Sequence, residues 1–86
     1  MKTAMFYGGK DIRVEEVRDP IPGPGDVLIE IKAAGICGGD LHEYRLGRFP
    51  GRTYPHTGGH ELAGLVAALG PDVSDLEVGD RVGVEP

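Results

Sequence analysis

Fifteen glycines and seven prolines punctuate 86 residues, and this constrains the chain more than any other feature. Both residues disfavour helix interiors, and proline also removes a donor from any sheet ladder. With two Phe, three Tyr and no Trp to fill an interior, short strands joined by many turns are expected. The length suits one small domain and not two. Nothing repeats, and no segment is of low complexity.

Charge and hydropathy narrow the function classes. Nine basic and fourteen acidic side chains leave a net charge of −5. No basic patch is available to neutralise phosphates, so no nucleic-acid partner is expected. The longest apolar-plus-glycine run, Ala63 to Gly70, is far too short to span a bilayer, and no membrane role is expected. Met1-Lys2-Thr3-Ala4-Met5-Phe6 lacks the apolar core of a signal peptide. A single cysteine, Cys37, cannot form an internal disulfide, which fits a reducing, cytoplasmic setting.

The runs between breakers place the elements. Lys2 to Tyr7 and Ile12 to Val17 flank Gly8-Gly9 and read as a hairpin. The proline-rich stretch from Pro20 to Asp26 reads as an ordered loop. Val27, Ile29, Ile31 and Ala33 alternate with Leu28, Glu30 and Lys32, the pattern of a half-buried strand. Gly38 to Leu46 is expected to be a short helix, with Gly39 or Asp40 near its N-cap and Gly47 as its stop. Residues 47 to 59 read as a loop. Glu61 to Leu69 reads as a strand with a bulge or a close backbone approach at Gly64. After a Gly70-Pro71-Asp72 turn, a second turn at Gly79-Asp80 leads into a final strand. The expected fold is mainly β, a partly open barrel with one short helix.

Two segments carry chemistry: Gly35-Ile36-Cys37-Gly38-Gly39-Asp40-Leu41-His42 and Gly58-Gly59-His60-Glu61-Leu62-Ala63-Gly64. A thiolate and an imidazole are both good zinc ligands, and zinc accepts a mixed shell. Read alone, Cys37 is more commonly a small buried thiol, and His60 a loop or strand-edge histidine bonded to backbone. Glu61 follows His60 directly, and in a regular strand the two side chains would point to opposite faces. They can share a metal if the backbone bends, which Gly58 and Gly59 permit.

Together these residues resemble the zinc-containing medium-chain alcohol dehydrogenases, in the subgroup of sorbitol, threonine and butanediol dehydrogenases. The similarity rests on Gly59-His60-Glu61 with Gly64, Gly70 and Val73, and on Gly35-Ile36-Cys37-Gly38 with Asp40 and His42. Pro22-Gly23-Pro24-Gly25-Asp26-Val27-Leu28 and Val78-Gly79-Asp80-Arg81-Val82 extend it along the whole chain. The resemblance implies that residues 1–86 are the N-terminal part of a GroES-like catalytic domain. A Rossmann domain for NAD or NADP would follow it, and no Gly-x-Gly-x-x-Gly for such a domain occurs in these residues. It implies zinc bound by Cys37 and His60, with Glu61 close by as an occasional ligand or electrostatic modulator. The remaining ligand, a Cys, Glu or Asp in relatives, would lie beyond Pro86. Asp40 would orient the zinc-bound histidine, or serve as a helix cap, and His42 would relay protons. The implied reaction is oxidation of a small alcohol or polyol by hydride transfer, in complete relatives that form homo-oligomers. These 86 residues alone are expected to be inactive.

Gly39 departs from the family, where most relatives carry Ser or Thr and use the hydroxyl to pass the substrate proton to solvent. Glycine offers no such group. His56 matches no motif and reads as a loop residue. The rival readings are a non-enzymatic GroES-like binding module, a zinc-free quinone reductase of the same superfamily, and an inactive fragment. The Cys37 and His60 pair disfavours the first two.

Overall fold

The computed structural model describes residues 1–48 and 50–85; Phe49, within the expected 47–59 loop, and Pro86, at the end of the expected domain, lie outside the described residues. The elements run β1 (Lys2–Gly8), β2 (Asp11–Glu16), β3 (Val27–Gly35), α1 (Gly38–Leu46), β4 (His56–Thr57), β5 (Glu61–Leu69) and β6 (Arg81–Val84). The mainly β class with one short helix is therefore observed, as two three-stranded sheets that are not closed. The chain divides into two compact units, Met1–Arg18 with Ile36–Gly59 and Asp19–Gly35 with His60–Pro86. Each takes two separate stretches, so no single cut in the sequence isolates either. No helix among the described residues is long and apolar enough to cross a membrane.

In the first unit the sheet order is β2-β1-β4. The hairpin β1–β2 pairs Lys2 with Glu16 through Phe6 with Ile12, and its register shifts before Gly8. Its surface is pinned by polar side chains: Tyr7 donates to Glu15, and the Arg13 guanidinium lies 4.1 Å over the Tyr7 ring while bonding Asp11 at 3.0 Å. β4 is a two-residue strand on the other edge of β1, pairing His56 with Phe6 and Thr57 with Met5. It lies inside the stretch expected to be loop. Two residues are too few to show a period of two, so only the pairing reveals it.

The second unit is the antiparallel sheet β3-β5-β6. Its centre is β5, which carries the buried Val66, 1% exposed, and the buried Gly64. The expected alternation along β3 is not observed. The β3–β5 register shifts between Leu28 and Ile29 and again between Ile31 and Ala33, skipping Ala67 and Lys32. Bulges of this kind interrupt the regular alternation of faces along a ladder, and Ile31 is 45% exposed. Gly64 makes the close approach expected of it: a Cβ there would lie 2.0 Å from the Glu30 carbonyl oxygen. Two turns of the same design bound the sheet. In Gly23–Asp26 and Glu77–Asp80 the aspartate carboxylate accepts from the first residue's N–H, at 3.1 and 2.9 Å. Gly25 and Gly79 hold the third position at positive φ, as such turns require.

Candidate metal centre

Cys37 is held by the helix it begins. It is the N-cap of α1, with φ −83° and ψ 154°. Its sulfur accepts from the Gly39 N–H at 3.5 Å, and its own N–H donates to the Asp40 carboxylate at 2.9 Å. This is a capping box with sulfur in place of the usual hydroxyl. The cap, expected near Gly39 or Asp40, falls at Cys37, with Asp40 at the third helical position. A cysteine sulfur reaches the second amide of the turn as a serine hydroxyl would, which residue preferences do not anticipate. The sulfur thus sits at the positive end of the helix dipole, a setting suited to a negatively charged ligand atom.

His60 and Glu61 arrive from β5. Glu61 is the first residue of that strand and is paired with Gly35, the last of β3. Its carboxylate lies over Gly35, where a Cβ would come within 2.8 Å of Oε1. Cys37 follows Gly35 by two residues, so covalent continuity brings both segments to one end of the β3–β5 ladder. His60 precedes the strand, and Gly59 beside it has φ +95°. Strand alternation accordingly does not separate His60 from Glu61.

Cys37, His60 and Glu61 each offer one ligand atom, and these atoms all lie within 4.8 Å of one another. A tetrahedral zinc with bonds of about 2.0–2.3 Å needs ligand separations of roughly 3.3–3.8 Å. Thiolate, imidazole and carboxylate are the donor types zinc takes, so the residues fit the ion. Cys37 and His60 are half-buried and Glu61 is exposed, which leaves the group open on its carboxylate side. His42 lies on α1 and is exposed.

The structure adds a cluster that the sequence did not announce. Glu43 on α1 is 3% exposed. Its Oε2 accepts from Arg52 Nη1 at 2.8 Å, and its Oε1 accepts from Tyr54 Oη at 2.7 Å and lies 3.0 Å from His56 Nε2. Burial pushes the Glu43 carboxyl up, but the hydrogen bonds from Tyr54 and His56 and the charges of Arg52 and His56 outweigh it, so the group titrates below its ordinary range. His56, expected in a loop, is instead a β4 residue whose ring is bonded on both nitrogens, Nδ1 meeting the Thr57 carbonyl at 2.9 Å. A carboxylate in a short, weakly amphipathic helix reads as a solvated side chain. No spacing rule links it to residues nine to thirteen positions later.

Similarity to known proteins follows the same residues. The family described as "Alcohol dehydrogenase GroES-like domain" matches residues 23–86. The "(R,R)-butanediol dehydrogenase" of Bacillus subtilis (strain 168) is 44% identical over 96 residues, covering 100% of this chain and 28% of that protein. The crystal structure of 2R,3R-butanediol dehydrogenase from Bacillus subtilis matches with a TM-score of 0.91 at 43% identity, covering 99% of this chain and 27% of that one. A putative zinc-binding dehydrogenase from Sinorhizobium meliloti 1021, bound to NADP, matches with a TM-score of 0.81 at 40% identity, over 93% of this chain and 23% of its own. The chain thus spans about a quarter of the length of these relatives.

Proposed function

The chain belongs to the alcohol dehydrogenase GroES-like domain family, and from that premise we propose that it is the metal-holding, N-terminal part of the catalytic domain of a zinc-dependent alcohol or polyol dehydrogenase. The observation that carries this reading is the convergence of one thiol, one imidazole and one carboxylate within 4.8 Å. Cys37, His60 and Glu61 would hold the ion. Zinc bound there supplies Lewis-acid polarisation of an alcohol oxygen, and NAD or NADP is the hydride acceptor.

The chain's own residues have separable tasks in this reading. The capping box fixes the Cys37 sulfur relative to α1, so the thiolate is presented at a defined angle. Asp40 is anchored by the Cys37 N–H, and the family resemblance gives it the task of an outer partner to a metal-bound histidine. His42, exposed on α1, moves a proton between the substrate oxygen and water, a task suited to imidazole near neutral pH. Gly39 contributes no hydroxyl to that path. The substrate class is a small alcohol or polyol, supported by the butanediol dehydrogenases to which the chain is similar. The NADP-bound relative supports the cofactor class. A cytoplasmic location and assembly into homo-oligomers belong to the same proposal.

Metal analysis tests it. Zinc per chain is measured after dialysis for the wild type and for Cys37→Ser, His60→Ala and Glu61→Gln. Loss is expected in the first two variants, with a smaller effect in the third. Equal zinc in wild type and Cys37→Ser would sink the assignment. A dehydrogenase assay of the complete enzyme on vicinal diols, with NAD and with NADP, then tests the reaction.

A further inference from the structure

We infer that Glu43 is a positioning residue for the metal centre: its carboxylate fastens the helix that begins at Cys37 to the 52–57 stretch that runs on into His60. The inference rests on the ligand assignment proposed above. It starts from how α1 is held. Leu41, Tyr44 and Leu46 are 46%, 40% and 66% exposed, and the buried residue of the helix is Glu43. The helix is therefore anchored through a buried carboxylate rather than through an apolar face. Both carboxylate oxygens are engaged, by Arg52 at 2.8 Å, Tyr54 at 2.7 Å and His56 at 3.0 Å. Charge-assisted bonds of this kind are stronger and more directional than neutral ones.

The far side of the cluster is equally constrained. The His56 ring sits 5.4 Å from Phe6 and 5.1 Å from Tyr54, centroid to centroid. Its two nitrogens face the Thr57 carbonyl and the Glu43 carboxylate. The ring is thus held at both nitrogens. The Arg48 guanidinium lies 5.0 Å from the Tyr54 ring centroid. Residues 52–57 are thereby tied to α1 and to β1, and His60 follows within four residues of His56.

Leverage makes the tie matter. Cys37 stands six residues before Glu43, about 9 Å along a helix at 1.5 Å per residue. A tilt of about 10° about Glu43 moves the N-cap by about 1.5 Å, whereas metal bonds tolerate about 0.2 Å. Without the carboxylate, the capping box still shapes the first turn but no longer aims it.

Cobalt(II) titration of the full chain tests this, read at the thiolate charge-transfer band and the d–d bands. Glu43→Ala is expected to weaken binding about tenfold, the lower end for loss of an outer partner, and to shift the d–d bands. Glu43→Gln, which keeps the shape and one accepting oxygen, is expected to recover part of the affinity. Tyr54→Phe, which removes one donor, is expected to show a smaller loss. A folded Glu43→Ala chain with wild-type affinity and spectrum would overturn the inference. If Glu43→Ala does not fold, unchanged binding in both Glu43→Gln and Tyr54→Phe overturns it. Cys37→Ser separates the two claims. If it keeps the cobalt–thiolate band, the ligand assignment fails. If it loses the band while the Glu43 and Tyr54 variants bind as wild type, the positioning role alone fails.

Discussion

At the scale of single residues, opposing effects meet at Glu43. Burial favours its protonated form, while three donors favour the carboxylate and prevail. Its pKa in the fold is therefore below the ordinary 4.5, and the unfolded chain binds the proton more readily. The stability this residue contributes is complete above pH 4.5 and is lost as pH falls through the lowered value. The melting temperature is expected to drop over that acid window, and to drop less steeply in Glu43→Gln, as circular dichroism melts would show. Gly39 presents a different case. A Cβ there would meet nothing nearer than the Cys37 sulfur at 3.9 Å, an ordinary contact. Gly39→Ser is thus sterically free. If the missing hydroxyl limits proton transfer, the substitution in the full-length enzyme is expected to raise dehydrogenase turnover at neutral pH and below, by about tenfold or more, with zinc content unchanged. An unchanged pH–rate profile would show that the relay runs without that hydroxyl.

At the scale of elements, β5 organises its sheet because it is paired on both sides, by β3 and β6. Gly64 lets two backbones approach where any side chain would collide. Gly64→Ala would place a methyl 2.0 Å from a carbonyl oxygen, and backbone cannot yield as a flexible side chain can. Destabilisation of about 3 kcal/mol or more is expected, at the upper end for overpacking, and urea unfolding would measure it. Gly38→Ala is the contrast, since nothing lies within 4 Å of a Cβ there. It is expected to leave stability within about 0.5 kcal/mol.

At the scale of the whole molecule, metal binding and folding should be linked. Cys37 leaves one end of the β3–β5 ladder and His60 enters it, so the ligand group exists only when that ladder has formed. An ion that binds the folded chain selectively stabilises it, by about 2.7 kcal/mol at free zinc one hundred times Kd. A rise in melting temperature of roughly 10 °C or more is expected for a chain of this size, reversed by a chelator. No shift on adding zinc would contradict the proposed centre. The net charge of −5 adds electrostatic attraction for the cation, so the apparent affinity should fall with salt.

Local signals were enough for much of this protein. Glycine and proline positions marked the hairpin, the turn at Gly79-Asp80 and the limits of α1, because those residues restrict backbone geometry wherever they occur. Gly64 announced its close approach, since a glycine inside an apolar strand has little other use. Cys37, His60 and Glu61 were legible as candidates because few side chains bind metals. What local signals do not carry is register. The two shifts along β3 and the two-residue strand β4 arise from pairing between distant stretches, and pairing leaves no period in either. The sulfur at the helix cap and the buried Glu43 depended on tertiary structure for the same reason. A charged side chain is expected in water unless donors surround it, and here those donors, Arg52, Tyr54 and His56, are gathered by the fold.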